Sequence, residues 1–222
     1  MEVSALLPDL TEITLRSLAV SLSAVALASL IGMPLGAWLA VTRFRGRRFA
    51  IAALNALMGL PPVVVGLVVY LALSRSGPLG VLGLLYTPTA MILAQVIIIT
   101  PLIASLAHQA LRDLWSEYRD LLISMHARKT QRMAVLMWDG RRALLTAALA
   151  GVGRGSGEVG AIMIVGGNID NVTRVLTTAI ALETSKGNLA LAVGLGAVLI
   201  VMSLMVSIAL HVAGRTERAS QW

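Results

Sequence analysis

The stretch from Gly151 to Asn168 reads G-V-G-R-G-S-G-E-V-G-A-I-M-I-V-G-G-N. It sets Arg154 and Glu158 four residues apart inside an otherwise apolar, glycine-rich segment long enough to cross a bilayer. A charged side chain at the centre of a membrane helix costs roughly 2.5 to 3.5 kcal/mol on insertion scales, so such residues face a partner or a water-filled path. In a continuous helix the two lie one turn apart on one face. The plain reading is an i,i+4 ion pair that neutralises two buried charges and locks helix packing.

The rest of the chain has the same character. Of its 222 residues 57% are hydrophobic and 13% charged, and the mean hydropathy is +0.84, which excludes an ordinary soluble domain and makes this an integral membrane protein. Five stretches reach the roughly 20 apolar residues that a bilayer-crossing helix needs: residues 15–41, 49–74, 85–107, 143–166 and 189–213. The expected fold is therefore an all-α membrane protein of about five transmembrane helices, in one transmembrane domain over residues 1–222. There are no cysteines, so disulfides, thiolate metal sites and cysteine nucleophiles are excluded, and the three histidines are scattered too widely to hold a metal.

The net charge of +7 raises nucleic acid as a partner, but the basic residues sit between hydrophobic spans and are not interleaved with aromatics. They are topology signals. Residues 42–48 carry four Lys and Arg, the segment 108–142 carries seven, and the tail from Gly214 to Trp222 carries two, together 13 of 18. With five spans these three regions share one side, which the positive-inside rule makes cytoplasmic. The N-terminus is then outside and the C-terminus cytoplasmic. Residues 1–13 contain Glu2, Asp9 and Glu12 and no positive cluster, so the first span is expected to remain in the mature protein.

Pro61-Pro62, within G-L-P-P-V-V-V-G from Gly59 to Gly66, predicts a kink in the second span, because proline removes a backbone donor and clashes with the preceding turn. Gly32 with Gly36, and Gly151 with Gly155, have the small-xxx-small spacing that lets membrane helices approach closely. In the segment 108–142, Leu111, Leu114, Trp115, Tyr118, Leu121, Leu122 and Met125 recur at helical spacing, predicting two short amphipathic helices that break near His126 to Thr130. That segment either rests on anionic headgroups or docks a soluble partner.

No catalytic machinery is visible. Gly155-x-Gly157-x-x-Gly160 matches the dinucleotide fingerprint by letter, but it lacks the preceding strand that the motif requires. No G-x-x-x-x-G-K-[ST] occurs, so any ATP-derived energy comes from another subunit.

With these residues in view, the chain resembles the membrane permease subunits of type I ABC importers, and within them the tungstate-type branch of the oxyanion permeases. The resemblance covers nearly the whole chain. It is carried by Gly153-Arg154, by the run from Glu158 through Gly166-Gly167-Asn168-Ile169, and by Thr173-Arg174-Val175-Leu176-Thr177-Thr178-Ala179-Ile180 with Leu182-Glu183-Thr184. Molybdate and sulfate permeases have a related R-x-x-x-E-x-G-A core, and Pro61-Pro62-Val63-Val64-Val65-Gly66 is similar to their second-span motif.

The resemblance implies a permease fold of the MetI-like kind, with two copies of the chain forming the pore. Two ATP-binding cassette ATPase subunits would carry the ATP and Mg, this chain holding no cofactor. An extracytoplasmic binding protein would deliver a tetrahedral oxyanion, tungstate first, with molybdate or sulfate as the alternative, to a transporter in the prokaryotic inner membrane. The chain itself would be non-catalytic. On that reading Arg154 attracts the anion and Glu158 holds its orientation, while Asn168, Thr173, Thr177 and Thr178 lie along the path. The plain alternative for Gly166-Gly167-Asn168 is a helix C-cap.

Docking on the ATPase would fall to Asp120, His126, Ala127, Arg128, Lys129 and Thr130. The family loop is written E-A-A with a glycine six residues after the Glu. Here Asp120-Leu121-Leu122 stand for E-A-A, His126 stands for the glycine, and Trp138-Asp139 replace the usual L-P. The different-class alternative is an ATP-independent secondary carrier, against which the chain lacks an inverted repeat with paired interrupted helices.

Overall fold

The computed structural model describes residues 3–216, and side chains over residues 10–209; most of the basic tail from Gly214 to Trp222 lies outside the described residues. The described residues form nine α-helices and a short 3-10 turn at Gly80–Leu82, with no strand among them. Three helices are long and apolar enough to span a membrane unaided, over Leu10–Val41, Pro88–Ser124 and Leu189–Ala209. They belong to α1 (Val3–Val41), α4 (Pro88–Ser124) and α9 (Leu189–Thr216). Two further spans form only if bent pairs are joined: α2 (Arg47–Met58) with α3 (Pro62–Leu73), bent by 98°, and α6 (Arg141–Ser156) with α7 (Gly160–Gly166), bent by 62°.

The framework is the pair α1 and α4. A Cβ on Gly36 would lie 2.7 Å from the Ala104 carbonyl oxygen and 2.8 Å from the His108 amide nitrogen, and one on Gly32 3.1 Å from the Thr100 carbonyl oxygen. The small-xxx-small pair therefore brings the two backbones together, which maximises dispersion contact where no hydrophobic effect operates between apolar helices in lipid. At 37 residues α4 is roughly 55 Å long, well beyond the roughly 30 Å hydrocarbon core. Residues 108–124 are thus the end of α4. The separate short helix expected there is absent because nothing in that stretch breaks the backbone: its next interruption is at Met125.

At Pro61-Pro62 the chain does more than kink. Pro61 is extended (φ −61°, ψ 122°) and Pro62 opens α3, where its missing N–H costs nothing. Neither 12-residue half is long enough alone to cross the core. The buried face of α3, Val65, Gly66, Val69 and Leu73, packs with Ala90, Met91, Ala94 and Ile98 of α4 and with Ala161, Ile162 and Val165 of α7. A second cluster joins Ala37, Ala40 and Val41 of α1 to Leu111, Trp115 and Leu122 of α4 and to Leu136 of α5 (Lys129–Asp139). A third ties α8 (Leu176–Ser185) to α9 through Leu176, Ala179, Leu195 and Met202. Leu15, Leu30, Val193, Ile200, Leu204 and Ile208 are exposed, a distribution stable against lipid and not against water.

Candidate functional site

The stretch from Gly151 to Asn168 is not one helix. Gly153, Gly155, Gly157 and Gly160 lower helix propensity over two turns, each by about 1 kcal/mol relative to alanine, and α6 ends at Gly157. The chain then turns through Glu158 and Val159 before α7 begins. Arg154 lies on one side of this break and Glu158 on the other. No ion pair joins them among the described residues. The i,i+4 pairing is therefore corrected: it needs a continuous helix, and the break carries Glu158 off the face of α6.

Glu158 instead turns forward. Its side chain is 5% exposed, and its Oε1 accepts from the Ala161 amide at 3.1 Å, satisfying one of the donors that every helix start leaves open. Arg154 is half-buried, and its guanidinium donates to no acceptor among the described residues.

The break is held from outside by two neighbours. Gln95, fully buried on α4, donates Nε2–H to the Gly155 carbonyl at 3.0 Å, while its own Oε1 has no protein partner. On the other flank α3 and α7 cross almost backbone to backbone. A Cβ on Gly66 would lie 2.6 Å from Ala161 Cα, and one on Gly160 2.6 Å from Val63 Cγ2. Thus the Pro-Pro-Val-Val-Val-Gly motif and the Glu-Val-Gly-Ala motif, far apart in the chain, pack on each other. Sequence reading missed Gln95, although a lone amide in the apolar run Met91–Ile99 was the signal that would have found it.

At the far end of α7, Gly167 has φ 69° and Asn168 φ 50°, a left-handed C-terminal cap. A Cβ on Gly167 would lie 2.8 Å from the Tyr86 ring. Thr173, fully buried, donates to the Gly166 carbonyl and accepts from the Ile169 amide at 2.9 Å. The Thr178 hydroxyl accepts from the Val175 amide at 3.1 Å and donates to the Val175 carbonyl at 3.0 Å. Both hydroxyls are thereby committed to local turns. Thr177 Oγ1 and Asn168 Oδ1 are buried without a protein partner. Thr177 lines a void of about 10 Å³ with Ser17, Ser21 and Ser156 beside Gly155, room for about one water molecule.

The structure places the second group of sequence-selected residues at the opposite end of α4. That helix stops at Ser124, His126 takes φ 53°, and Ala127 donates back to the Leu122 carbonyl at 3.1 Å. Arg128 then caps α5, its amide donating to Gln131 Oε1 at 2.7 Å. His126 thus occupies a left-handed position of the kind glycine favours. His126→Gly is expected to raise the unfolding free energy by about 0.5 to 1 kcal/mol, the relief of left-handed strain being offset in part by glycine's unfolded-state entropy. Thermal unfolding in detergent measures it, and a lower midpoint in the variant would contradict the strain.

Asp120, Arg128, Lys129 and Thr130 are exposed around this turn and Ala127 is half-buried. Between the end of α4 and α5 lies an apolar cleft of about 470 Å³, lined by Leu121, Leu122, Ala134, Val135 and Trp138. Tyr118 closes one end by donating to Asp139 Oδ2 at 2.8 Å. Leu121 is 60% and Trp138 73% exposed.

No protein-family model matches the chain. Among curated proteins, it is 41% identical over 203 residues to the probable anion ABC transporter permease protein of Haloferax volcanii, covering 89% of this chain and 88% of that one. To the tungstate uptake system permease protein of Peptoclostridium acidaminophilum it is 38% identical over 204 residues, 92% of this chain and 90% of that one. To the protein of the same description from Campylobacter jejuni it is 37% identical over 173 residues, 78% of this chain and 72% of that one. The helical architecture, its broken spans and this sustained likeness agree, and the chain belongs to the permease subunits of ABC anion transporters.

Proposed function

We propose that this chain is the membrane subunit of an ATP-driven tungstate importer, working by alternating access as a homodimer. The observation that carries the cargo is the likeness to two tungstate uptake permeases at 38% and 37% identity. On this reading the chain is non-catalytic. Two ATPase subunits hydrolyse ATP with Mg on the cytoplasmic side, and a binding protein presents the anion outside.

The path runs past the break between α6 and α7. Arg154 is the attractive group, because among the described residues no acceptor neutralises its cation. Glu158 shapes the path indirectly, by starting α7 at a defined point. With Thr173 and Thr178 committed to local bonds, Asn168 and Thr177 are the outer polar groups with unused capacity.

Orientation with the N-terminus outside is supported by the count of Lys and Arg. Among the described residues Arg16, Arg174 and Lys186 each pair with a neighbouring acid, Glu12, Asp170 and Glu183, whereas Arg43, Arg45, Arg48, Arg112 and Arg119 form no ion pair. The ATPase would meet the turn at His126 and the cleft beside it, Leu121 and Trp138 supplying the apolar anchor and Asp120, Arg128, Lys129 and Thr130 the polar rim. Burying a leucine contributes about 1.5 to 3 kcal/mol. Leu121→Asp is therefore expected to weaken ATPase association at least ~10-fold while the permease still inserts. Copurification at wild-type stoichiometry and affinity would exclude the cleft.

The whole reading is tested by reconstituting the chain with its ATPase in vesicles, supplying the binding protein outside, and following uptake of tungstate against molybdate and sulfate. ATP-dependent uptake with tungstate preferred is the expected result. Uptake that proceeds without the ATPase, or that favours sulfate, would sink it.

A further inference from the structure

Where α1 gives way to α2, the protein has a second concentration of charge that the transport reading leaves unused. A cavity of about 440 Å³ is lined by Arg43, Arg47, Arg112 and Arg119, with Asp113 and Trp115; its volume falls within the ordinary range for small-ligand sites. Arg43 and Arg47 also line an adjoining concavity of about 410 Å³ with Phe44 and Arg48. Of these arginines, Arg47 is engaged: its Nε donates to the Leu39 carbonyl at 2.8 Å, closing the end of α1, and its Nη2 lies 3.4 Å from His108 Nε2. Among the described residues Arg43, Arg48, Arg112 and Arg119 donate to no acceptor, and Asp113 forms no ion pair. The main cavity thus gathers four cations against one carboxylate, a field that attracts an anion.

The position of the cavity narrows the ligand. It opens where the apolar run of α1 ends at Val41 and where α4 passes into its charged extension. Phe44, which lines the adjoining concavity, meets Trp38 at a tilt of 31° with ring centroids 4.9 Å apart, and Phe49 is 79% exposed. A tryptophan near the end of a membrane-spanning helix, as Trp38 is in α1, marks the headgroup zone of a bilayer. One wall is apolar, formed by Ala40 and Trp115. Guanidinium forks match phosphate oxygens in pairs, and basic pockets on the cytoplasmic side of membrane helices suit phosphate headgroups.

We propose that the pocket formed by Arg43, Arg112 and Arg119 binds a phosphate group at the cytoplasmic membrane face, a site separate from the translocation path. The phosphate of an anionic phospholipid is the source best placed to reach it, its acyl chains lying against the exposed face at Phe44 and Phe49. Free inorganic phosphate shares the chemistry. An occupant here would brace the junction of α1, α2 and α4 beside the part of α4 that leads to the His126 turn.

The test uses the permease purified with its ATPase and equilibrated with phosphatidylcholine vesicles containing phosphatidylglycerol, the lipid retained after detergent exchange being quantified. The double variant Arg43→Gln with Arg119→Gln is expected to retain at least ~10-fold less phosphatidylglycerol. A charge-matched control, Arg45→Gln with Arg142→Gln, removes two exposed arginines that do not line the cavity and is expected to match wild type. Arg112→Gln, at an exposed residue with no hydrogen bond or ion pair among the described residues, gives a milder loss of about threefold and serves if the double variant does not fold. Competition of the retained lipid by inorganic phosphate would support the site with free phosphate as a second source. Retention indifferent to inorganic phosphate would support the lipid alone. Equal losses in the test and control pairs would overturn the proposal in favour of diffuse surface charge. Loss of ATPase copurification with unchanged lipid would overturn it in favour of an acidic protein partner. Neither result bears on whether tungstate is the cargo.

Discussion

Replacing Gly66 with leucine is expected to abolish accumulation of folded permease. A Cβ at this position falls 2.6 Å from Ala161 Cα, 3.1 Å from Ala161 Cβ and 3.2 Å from the Ala161 carbonyl oxygen. Two of these three atoms are backbone, so no rotamer change relieves the contact. Overpacking a closely fitted interior costs about 1 to 3 kcal/mol even where side chains can move, and a domain holds only about 5 to 15 kcal/mol in reserve. Gly66→Ala should therefore lower stability by about 2 to 3 kcal/mol, read as a shift in the thermal or denaturant midpoint, and leucine should exceed what α3 and α7 can absorb. Adding Ala161→Gly should rescue little, because the nearest atom is Cα. Gly194→Ala is the internal contrast: nothing lies within 4 Å of a Cβ there, and it should fold as well as wild type. A Gly66→Leu protein with an unchanged midpoint would show that α3 and α7 do not cross in this way.

The second large effect is a separation of roles across the break. Arg154→Gln should leave assembly and thermal stability near wild type, because the guanidinium has no partner to lose among the described residues, yet reduce tungstate uptake by about 10- to 100-fold, since a hydrogen bond to a charged group is worth roughly 1.5 to 3 kcal/mol. Glu158 should behave in the opposite way. Glu158→Ala removes the acceptor of the buried Ala161 amide and should cost about 1 to 3 kcal/mol of stability. Glu158→Gln keeps a carbonyl oxygen at the same reach and should preserve the fold and much of the uptake. Parallel measurement of unfolding midpoint and ATP-dependent uptake distinguishes the two patterns. If Arg154→Gln transports at the wild-type rate, the anion does not depend on this charge.

Much of the architecture was legible because it follows from local chemistry. Three of the apolar runs fall on helices long enough to span a membrane unaided, and Pro61-Pro62 separates α2 from α3, since proline removes a backbone donor and clashes with the preceding turn. The small-residue spacing of Gly32 and Gly36 marks where α1 meets α4, although the partner, Ala104 to His108, is not written in it. The segment near His126 reads as a turn, and its left-handed residue stands where the family loop has glycine.

What misled was spacing taken for geometry. Arg154 and Glu158 are four residues apart, and that distance has its i,i+4 meaning only if the intervening residues are helical. Gly155 and Gly157 weaken that segment locally, but whether a glycine-rich segment breaks depends on what its neighbours supply, here the Gln95 amide on the Gly155 carbonyl. Likewise Leu111 to Met125 has the period of an amphipathic helix, and the same period fits a separate helix or the end of a longer one; α4 is continuous because the residues joining it to its apolar part are themselves good helix formers.

The sequence by itself determined that this is a multi-span helical membrane protein with a basic face, because hydropathy, proline and charge act through each residue's own transfer and backbone energies. Only the tertiary structure decided that Glu158 starts a helix instead of pairing with Arg154, that α3 and α7 meet at Gly66 and Ala161, and that arginines from α4 and from the residues after α1 share one cavity. Those facts are distances between residues remote in the chain, and the packing of several helices sets them jointly.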